Sequence, residues 1–259
     1  MTTPLVLITG ASSGIGQAMA LHYARQGYRL ALVARRSQAI QAWLDTHAIP
    51  AGSYVIYCAD VADAGQMASM ANACMTQQGL PDVVIANAGI SIGVDTSLPE
   101  DLAVMARVLA TNVMGMAATF GPFVAPMMAR GSGTLVGIGS VAGIRGLPGH
   151  GAYCASKAAV ISYCESLRGE LRSSGVKVIT LCPGYIATPL TKNNRYTMPF
   201  LMQPEVFAEK AAQTIAAGNS YRVIPWQMGV VAKLLRLLPN ALFDRLFAGR
   251  PRKPRATDS

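Results

Sequence analysis

Two rhythms of apolar positions alternate along the chain. Short continuous apolar runs at 4–9, 28–34, 54–58, 83–86, 133–139, 176–181 and 221–225 read as strands. The early runs lack polar alternation, as expected of parallel strands covered on both faces. Between them, at 14–26, 37–47, 63–78, 99–129, 151–174 and 204–217, apolar residues recur every three or four positions and read as helices. This order predicts an α/β fold: a doubly wound, Rossmann-type, mostly parallel seven-stranded sheet with helices on both faces. Residues 1–225 would form that domain, and 259 residues suit a single core.

The pattern changes after residue 225. Val230, Val231, Leu234, Leu235 and Leu238 share one helical stripe, with Lys233 and Arg236 on another face. Beyond Pro239, Leu242, Phe243, Leu246 and Phe247 repeat the spacing, so 226–250 reads as an apolar and basic helical extension. The Pro- and Arg-rich end, 251–259, reads as a disordered basic tail. Most of the net charge of +9 sits in this region: residues 221–259 carry eight basic groups and two acids. The near-neutral body disfavours a nucleic-acid surface. The extension has two readings: a membrane-surface anchor with Trp226 at the interface, or helices packed on the body or on a second subunit. The concentration of charge tilts the balance toward the anchor.

No run of 18 apolar residues is free of charge, so a conventional membrane span is not expected. The N-terminus reads as a first strand rather than a signal peptide. Five scattered cysteines without a C-x-x-C pair argue against a disulfide framework or a metal site and fit a reducing compartment. The expected location is cytoplasmic, peripheral at the inner face of a membrane if the extension anchors.

Chemistry-bearing residues follow the strands. After the first strand comes Thr9-Gly10-Ala11-Ser12-Ser13-Gly14-Ile15-Gly16, opening a helix. Glycines there permit a tight turn and close backbone approach to a pyrophosphate, and the helix start offers free N–H groups and a positive dipole end. The spacing, Gly-x-x-x-Gly-x-Gly, differs from the commoner Gly-x-Gly-x-x-Gly fingerprint. Asp60-Val61 follows the third strand, Asn87-Ala88-Gly89 the fourth, and Pro183-Gly184 the sixth. Asn112 lies in ATNVMG, Ser140 ends IGS, and Tyr153 and Lys157 stand four apart on one helix face.

This ordered set resembles the classical short-chain dehydrogenase/reductase family over residues 4–225. One departure is Ala86, where the family usually has a first asparagine before Asn87. The resemblance implies oxidoreductase chemistry with Asn112, Ser140, Tyr153 and Lys157 as catalytic residues. It implies a cofactor held by Gly10, Ser12, Ser13, Gly14, Ile15, Gly16, Asp60, Val61, Asn87, Ala88, Gly89, Tyr153, Lys157, Pro183, Gly184, Ile186 and Thr188. In the family, the asparagine matching Asn112 helps hold a water that links the lysine to solvent.

The residues carry their own argument. An ammonium beside a phenol favours the phenolate and brings tyrosine toward a working range. A serine at the C-terminal end of a strand could donate to a substrate oxygen as charge develops. The second strand ends in Ala34-Arg35-Arg36, with no acid for a ribose 2′-hydroxyl and two guanidinium groups suited to a 2′-phosphate. The expected cofactor is therefore NADP(H). The substrate would be a small-molecule carbonyl or secondary alcohol, apolar or lipid-like, given the Met-rich stretch beyond Pro189. The expected assembly is a homodimer or homotetramer. The alternative is a non-catalytic NADP(H)-binding sensor or scaffold, which the intact Ser140, Tyr153 and Lys157 set disfavours.

Overall fold

The computed structural model describes residues 3–194, 196–249 and 251–255. Seven strands, β1 (Leu5–Thr9), β2 (Arg29–Ala34), β3 (Tyr54–Cys58), β4 (Val83–Ala86), β5 (Gly133–Ile138), β6 (Val176–Pro183) and β7 (Tyr221–Ile224), form one sheet in the order β3-β2-β1-β4-β5-β6-β7. Every pairing is parallel, so the mostly parallel sheet of the sequence reading is parallel throughout.

The continuous apolar strands have a simple cause. Val6 and Ile8 face one core with α1 (Gly14–Arg25), α2 (Ser37–Thr46) and α7 (Pro204–Ala216), whereas Leu5 and Leu7 face a second core. That second core is completed by α3 (Ala64–Gln77), α5 (Gly115–Arg130) and α6 (Gly151–Glu170). Both faces are dry, so neither set of alternating side chains can be polar.

The stretch expected as one helix at 99–129 is α4 (Asp101–Leu109), a π-helical turn (Ala110–Met114) and α5. By length and composition this run could cross a bilayer, but Phe120, Phe123 and Met127 are fully buried in the second core. Single π turns inside α-helices often mark functional positions, and this one contains Asn112.

Beyond β7, the chain forms α8 (Trp226–Leu237) and α9 (Asn240–Phe247). The inner edge of α8 buries Met228, Gly229 and Ala232, and α9 buries Phe243. Arg145 fixes the junction: its guanidinium donates to the Leu235 carbonyl, to those of Arg236 and Leu238 at 3.1 and 2.7 Å, and to Asn240 Oδ1, and it lies 4.0 Å from the centre of the Phe243 ring.

The expectation of a disordered tail over 251–259 is corrected for residues 251–255; residues 256–259 and Arg250 lie outside the described residues. This segment forms a strap across the body. Gly93 N–H donates to the Pro254 carbonyl (2.9 Å), and Arg255 meets the buried Asp101 carboxylate through two bonds of 2.7 and 2.9 Å. Arg255 also reaches Glu100 (3.1 Å), and Arg252 reaches Asp95 (3.4 Å). A carboxylate as buried as Asp101 needs a fixed cation, and the tail supplies it.

Candidate active site

The C-terminal ends of the parallel strands share one edge, and the strand order reverses between β1 and β4, the place where such sheets bind ligands. The loop after β1 turns sharply there. Gly10 and Gly14 adopt φ of +68° and +57°, conformations that side chains other than glycine rarely accept. At Gly16 any Cβ would collide with the Gly10 carbonyl oxygen, so the helix start lies directly against the loop. Ser13 caps α1 without a side-chain hydrogen bond, and no acid lies in the first turn. Uncapped N–H groups at a positive dipole end suit a phosphate.

Gly10, Ser12, Ser13, Gly14 and Ile15 line one cleft with Arg35, Arg36, Asp60, Val61, Asn87, Ala88, Gly89, Ser140, Tyr153, Lys157, Pro183, Gly184, Ile186 and Thr188. Of the residues singled out from sequence, Gly16 and Asn112 stand behind the walls. Asn87 ties the two switch-point strands: its Nδ2 donates to the Thr9 carbonyl at 3.0 Å, while its own N–H and that of Ala88 donate to Thr9 Oγ1 at 3.1 and 3.2 Å. Sequence reading quoted Thr9 without a role, although a buried hydroxyl at a strand end is a signal of this kind.

At the mouth of β2, Arg36 donates to Ser12 Oγ (3.3 Å), and Arg35 pairs with Asp60 (3.4 Å). Both arginines lie at the rim beside the phosphate loop, next to Ala34. The uncapped helix start and the glycine turn fit the phosphates of a dinucleotide.

Across the cleft, Ser140 Oγ accepts the Ala142 N–H (3.1 Å), which leaves its own proton available. In the first two turns of α6, Lys157 is buried and Tyr153 half-buried. Burial pushes the Tyr153 phenol up to about 12, with the Ser140 hydroxyl working against the rise. Burial brings the Lys157 ammonium down to about 8. Its Nζ donates to the Ile138 carbonyl at 2.7 Å and lies 5.8 Å from the centre of the Tyr153 ring. The expected depression of the phenol by the ammonium is therefore absent from this arrangement; burial wins. Asn112 exchanges two bonds with Ile90, at 2.8 and 2.9 Å, and donates to Ser156 Oγ (2.9 Å), which donates to the Tyr153 carbonyl (2.8 Å). The π turn thus braces α6 beneath Tyr153.

A second cavity of about 530 Å³ adjoins the cleft. Tyr185 lines it while the next residue, Ile186, lines the cleft; His150, three residues before Tyr153, also lines it. His150 Nε2 and the Tyr196 hydroxyl are 3.1 Å apart, and the other walls include Leu147, Pro199, Phe247 and Pro251. Burial lowers the pKa of His150. The sequence assigned His150 no role, because its partner is 46 residues away. Lys253 was equally illegible: its nearly buried Nζ donates to the Leu190 carbonyl (2.8 Å) and Asn194 Oδ1 (2.7 Å), pinning the loop that follows Thr188.

A parallel, doubly wound sheet with a phosphate loop at its switch point defines a Rossmann-type dinucleotide-binding fold. Residues 4–199 match the family model described as short chain dehydrogenase. A protein of Myxococcus xanthus (strain DK1622) described as an uncharacterized oxidoreductase is 38% identical over 245 residues, covering 94% of this chain and 96% of that one. Among solved structures, a short-chain type dehydrogenase/reductase from Mycobacterium marinum matches with a TM-score of 0.77 at 29% identity, covering 85% of this chain and 93% of the other. A Sphingobium yanoikuyae short-chain dehydrogenase in complex with NADPH matches with a TM-score of 0.76 at 25% identity, covering 92% and 97%. The chain belongs to the short-chain dehydrogenase/reductase family and is an oxidoreductase that uses a nicotinamide cofactor.

Proposed function

We propose that this chain is an NADP(H)-dependent carbonyl reductase acting on an apolar, lipid-like ketone or aldehyde, with the reverse alcohol oxidation at the same site. One observation carries the reading: Tyr153 and Ser140 line the cofactor cleft together, beside a second cavity walled largely by aromatic and proline side chains. The cofactor supplies or accepts the hydride. Ser140 donates a hydrogen bond to the carbonyl oxygen as negative charge develops there, and Tyr153 transfers the one proton that completes the alcohol. A phenol near 12 is loaded with its proton at neutral pH, which suits reduction. Lys157, charged below about 8, binds the cofactor ribose and supports replacement of the tyrosine proton, and Asn112 holds the geometry from behind.

Arg35 and Arg36 support NADP(H) over NAD(H), since Ala34 puts no acid at the end of β2, Arg36 holds its guanidinium beside Ser12, and Asp60 is paired with Arg35. The Sphingobium yanoikuyae relative, solved with NADPH, agrees with this choice. The five cysteines, free and four of them buried, support a reducing, cytoplasmic setting. Exposed Leu102 and Met114 on the α4–α5 run support self-association as a homodimer or homotetramer. The test is a panel of polar, steroid-like and long-chain carbonyls with each cofactor. The reading predicts NADPH oxidation on apolar ketones; equal use of NADH, or NADPH binding with no turnover on any carbonyl, would overturn it.

A further inference from the structure

The outer edges of α8 and α9 have no protein partner that their burial would imply. On α8, Trp226, Val230, Leu234 and Leu237 are 64%, 48%, 59% and 79% exposed, and their spacing places them on one helical edge. On α9, Leu242 and Leu246 are 55% and 45% exposed, four residues apart. Lys233, Arg236 and Arg245 are exposed and form no ion pair among the described residues. Asp244 is the sole acid between residues 226 and 249. Six large apolar side chains on two consecutive helices exceed the scattered exposure normal for a monomer surface.

We propose that this surface docks on an anionic lipid bilayer and that substrate dissolved in the bilayer reaches the chamber past α9. Charge selects the occupant. A second copy related by a two-fold axis would bring the same cations against themselves, with Asp244 as the only acid to offset them. An anionic headgroup layer instead complements Lys233, Arg236 and Arg245 while the acyl region receives the apolar edge. The route follows from α9 itself. Leu242 and Leu246 face outward, whereas Phe243 and Phe247 stack inward with ring centres 4.5 Å apart, and Phe247 forms part of the chamber wall. Pro199 also lines the chamber, and the next two residues in the chain, Phe200 and Leu201, are 51% and 48% exposed. Two of the chamber's lining residues, Phe247 and Pro199, are thus preceded or followed in the chain by exposed apolar side chains. Docking concerns the surface alone; the route rests on the reductase reading proposed above.

Trp226 is a built-in reporter, because the other tryptophan, Trp43, packs against the core. The experiment mixes the full chain with vesicles of phosphatidylglycerol and phosphatidylcholine, or of phosphatidylcholine alone. Trp226 emission should shift to the blue on the anionic vesicles and be quenched by bromine-labelled acyl chains. The paired variant Leu234→Glu and Leu237→Glu should abolish the shift. The triple variant Lys233→Gln, Arg236→Gln and Arg245→Gln should weaken binding about a hundredfold, and high salt should weaken the parent's binding. Turnover of a long-chain ketone dissolved in the vesicles should fall with the Leu234→Glu, Leu237→Glu pair, while turnover of a short, water-soluble ketone stays unchanged.

An unshifted Trp226 on anionic vesicles overturns the docking surface. A blue shift that appears without vesicles and grows with protein concentration overturns it in favour of an interface between copies. Normal docking with vesicle-dissolved ketone turnover indifferent to the glutamate pair overturns the route. Because the emission arm needs no turnover and can be run on Tyr153→Phe, failure of the reductase reading leaves it intact.

Discussion

The cofactor cleft, which Tyr153 lines, and the second cavity beside it are built by opposite means. The cleft is backbone architecture: strand ends, a glycine turn and an uncapped helix start, each close in sequence to the strand that positions it. The chamber is assembled from side chains on the 147–150 loop, Tyr185, the 196–199 segment, α9 and the strap. None of these elements forms a wall without the others. The phosphate turn should therefore tolerate changes in α8 and α9, while the chamber should respond to residues far from any bound molecule.

The largest effect should fall on the cleft side. Tyr153→Phe should lower turnover by about 10²- to 10⁴-fold while NADPH affinity stays within a few-fold, measured by steady-state kinetics and fluorescence titration. Retained turnover would remove the chemistry from the cleft altogether. Arg35→Ala and Arg36→Ala should each weaken NADPH by about ten- to a hundredfold and leave NADH nearly unchanged, because a charge-assisted bond to a phosphate is lost on the cleft side only.

A smaller effect should appear in the pH profile. Burial brings Lys157 down to about 8, so its charge is present below that value and lost above it. Turnover at saturating cofactor should fall by about tenfold per pH unit above this point. Lys157→Arg, which stays charged, should move the fall to higher pH; an unchanged profile would mean that the charge does not matter.

The strap gives the smallest effect, and it reaches both regions. Lys253→Met should raise KM for a bulky ketone by about tenfold with kcat nearly unchanged, since it frees the loop from Leu190 to Asn194 without touching the reacting atoms. Leu190 and Thr191 of that loop line the cofactor cleft, so NADPH affinity should weaken alongside KM. Arg255 holds the Asp101 carboxyl below its ordinary range, first through their hydrogen bonds. The stability from this pair is present above the ordinary carboxyl range and lost as pH falls through the lowered value. Thermal melts of Arg255→Met should accordingly lose stability at neutral pH and show a weaker acid dependence than the parent.

Sheet architecture, strand placement and the cleft residues were legible because each rests on local patterns. Apolar runs such as LVLIT and RLALVA specify parallel strands, and the glycine spacing after Thr9 specifies a turn whatever packs around it. The tail misled for a physical reason. GRPRKPR has the composition of a solvated segment, and its order comes from a carboxylate more than 150 residues earlier. Asp101 reads as an ordinary helix start until burial makes it demand a cation.

The sequence by itself determined the alternation of elements, the phosphate turn, and the presence of Ser140, Tyr153 and Lys157 in order, because backbone preference and side-chain periodicity act over a few residues. Only the tertiary structure decided that burial raises the Tyr153 phenol, that His150 meets Tyr196, that the C-terminal segment lines the second cavity, and which edges of α8 and α9 stay uncovered. Those are matters of desolvation and long-range contact. They depend on which distant groups exclude water from a site, and no local pattern encodes that.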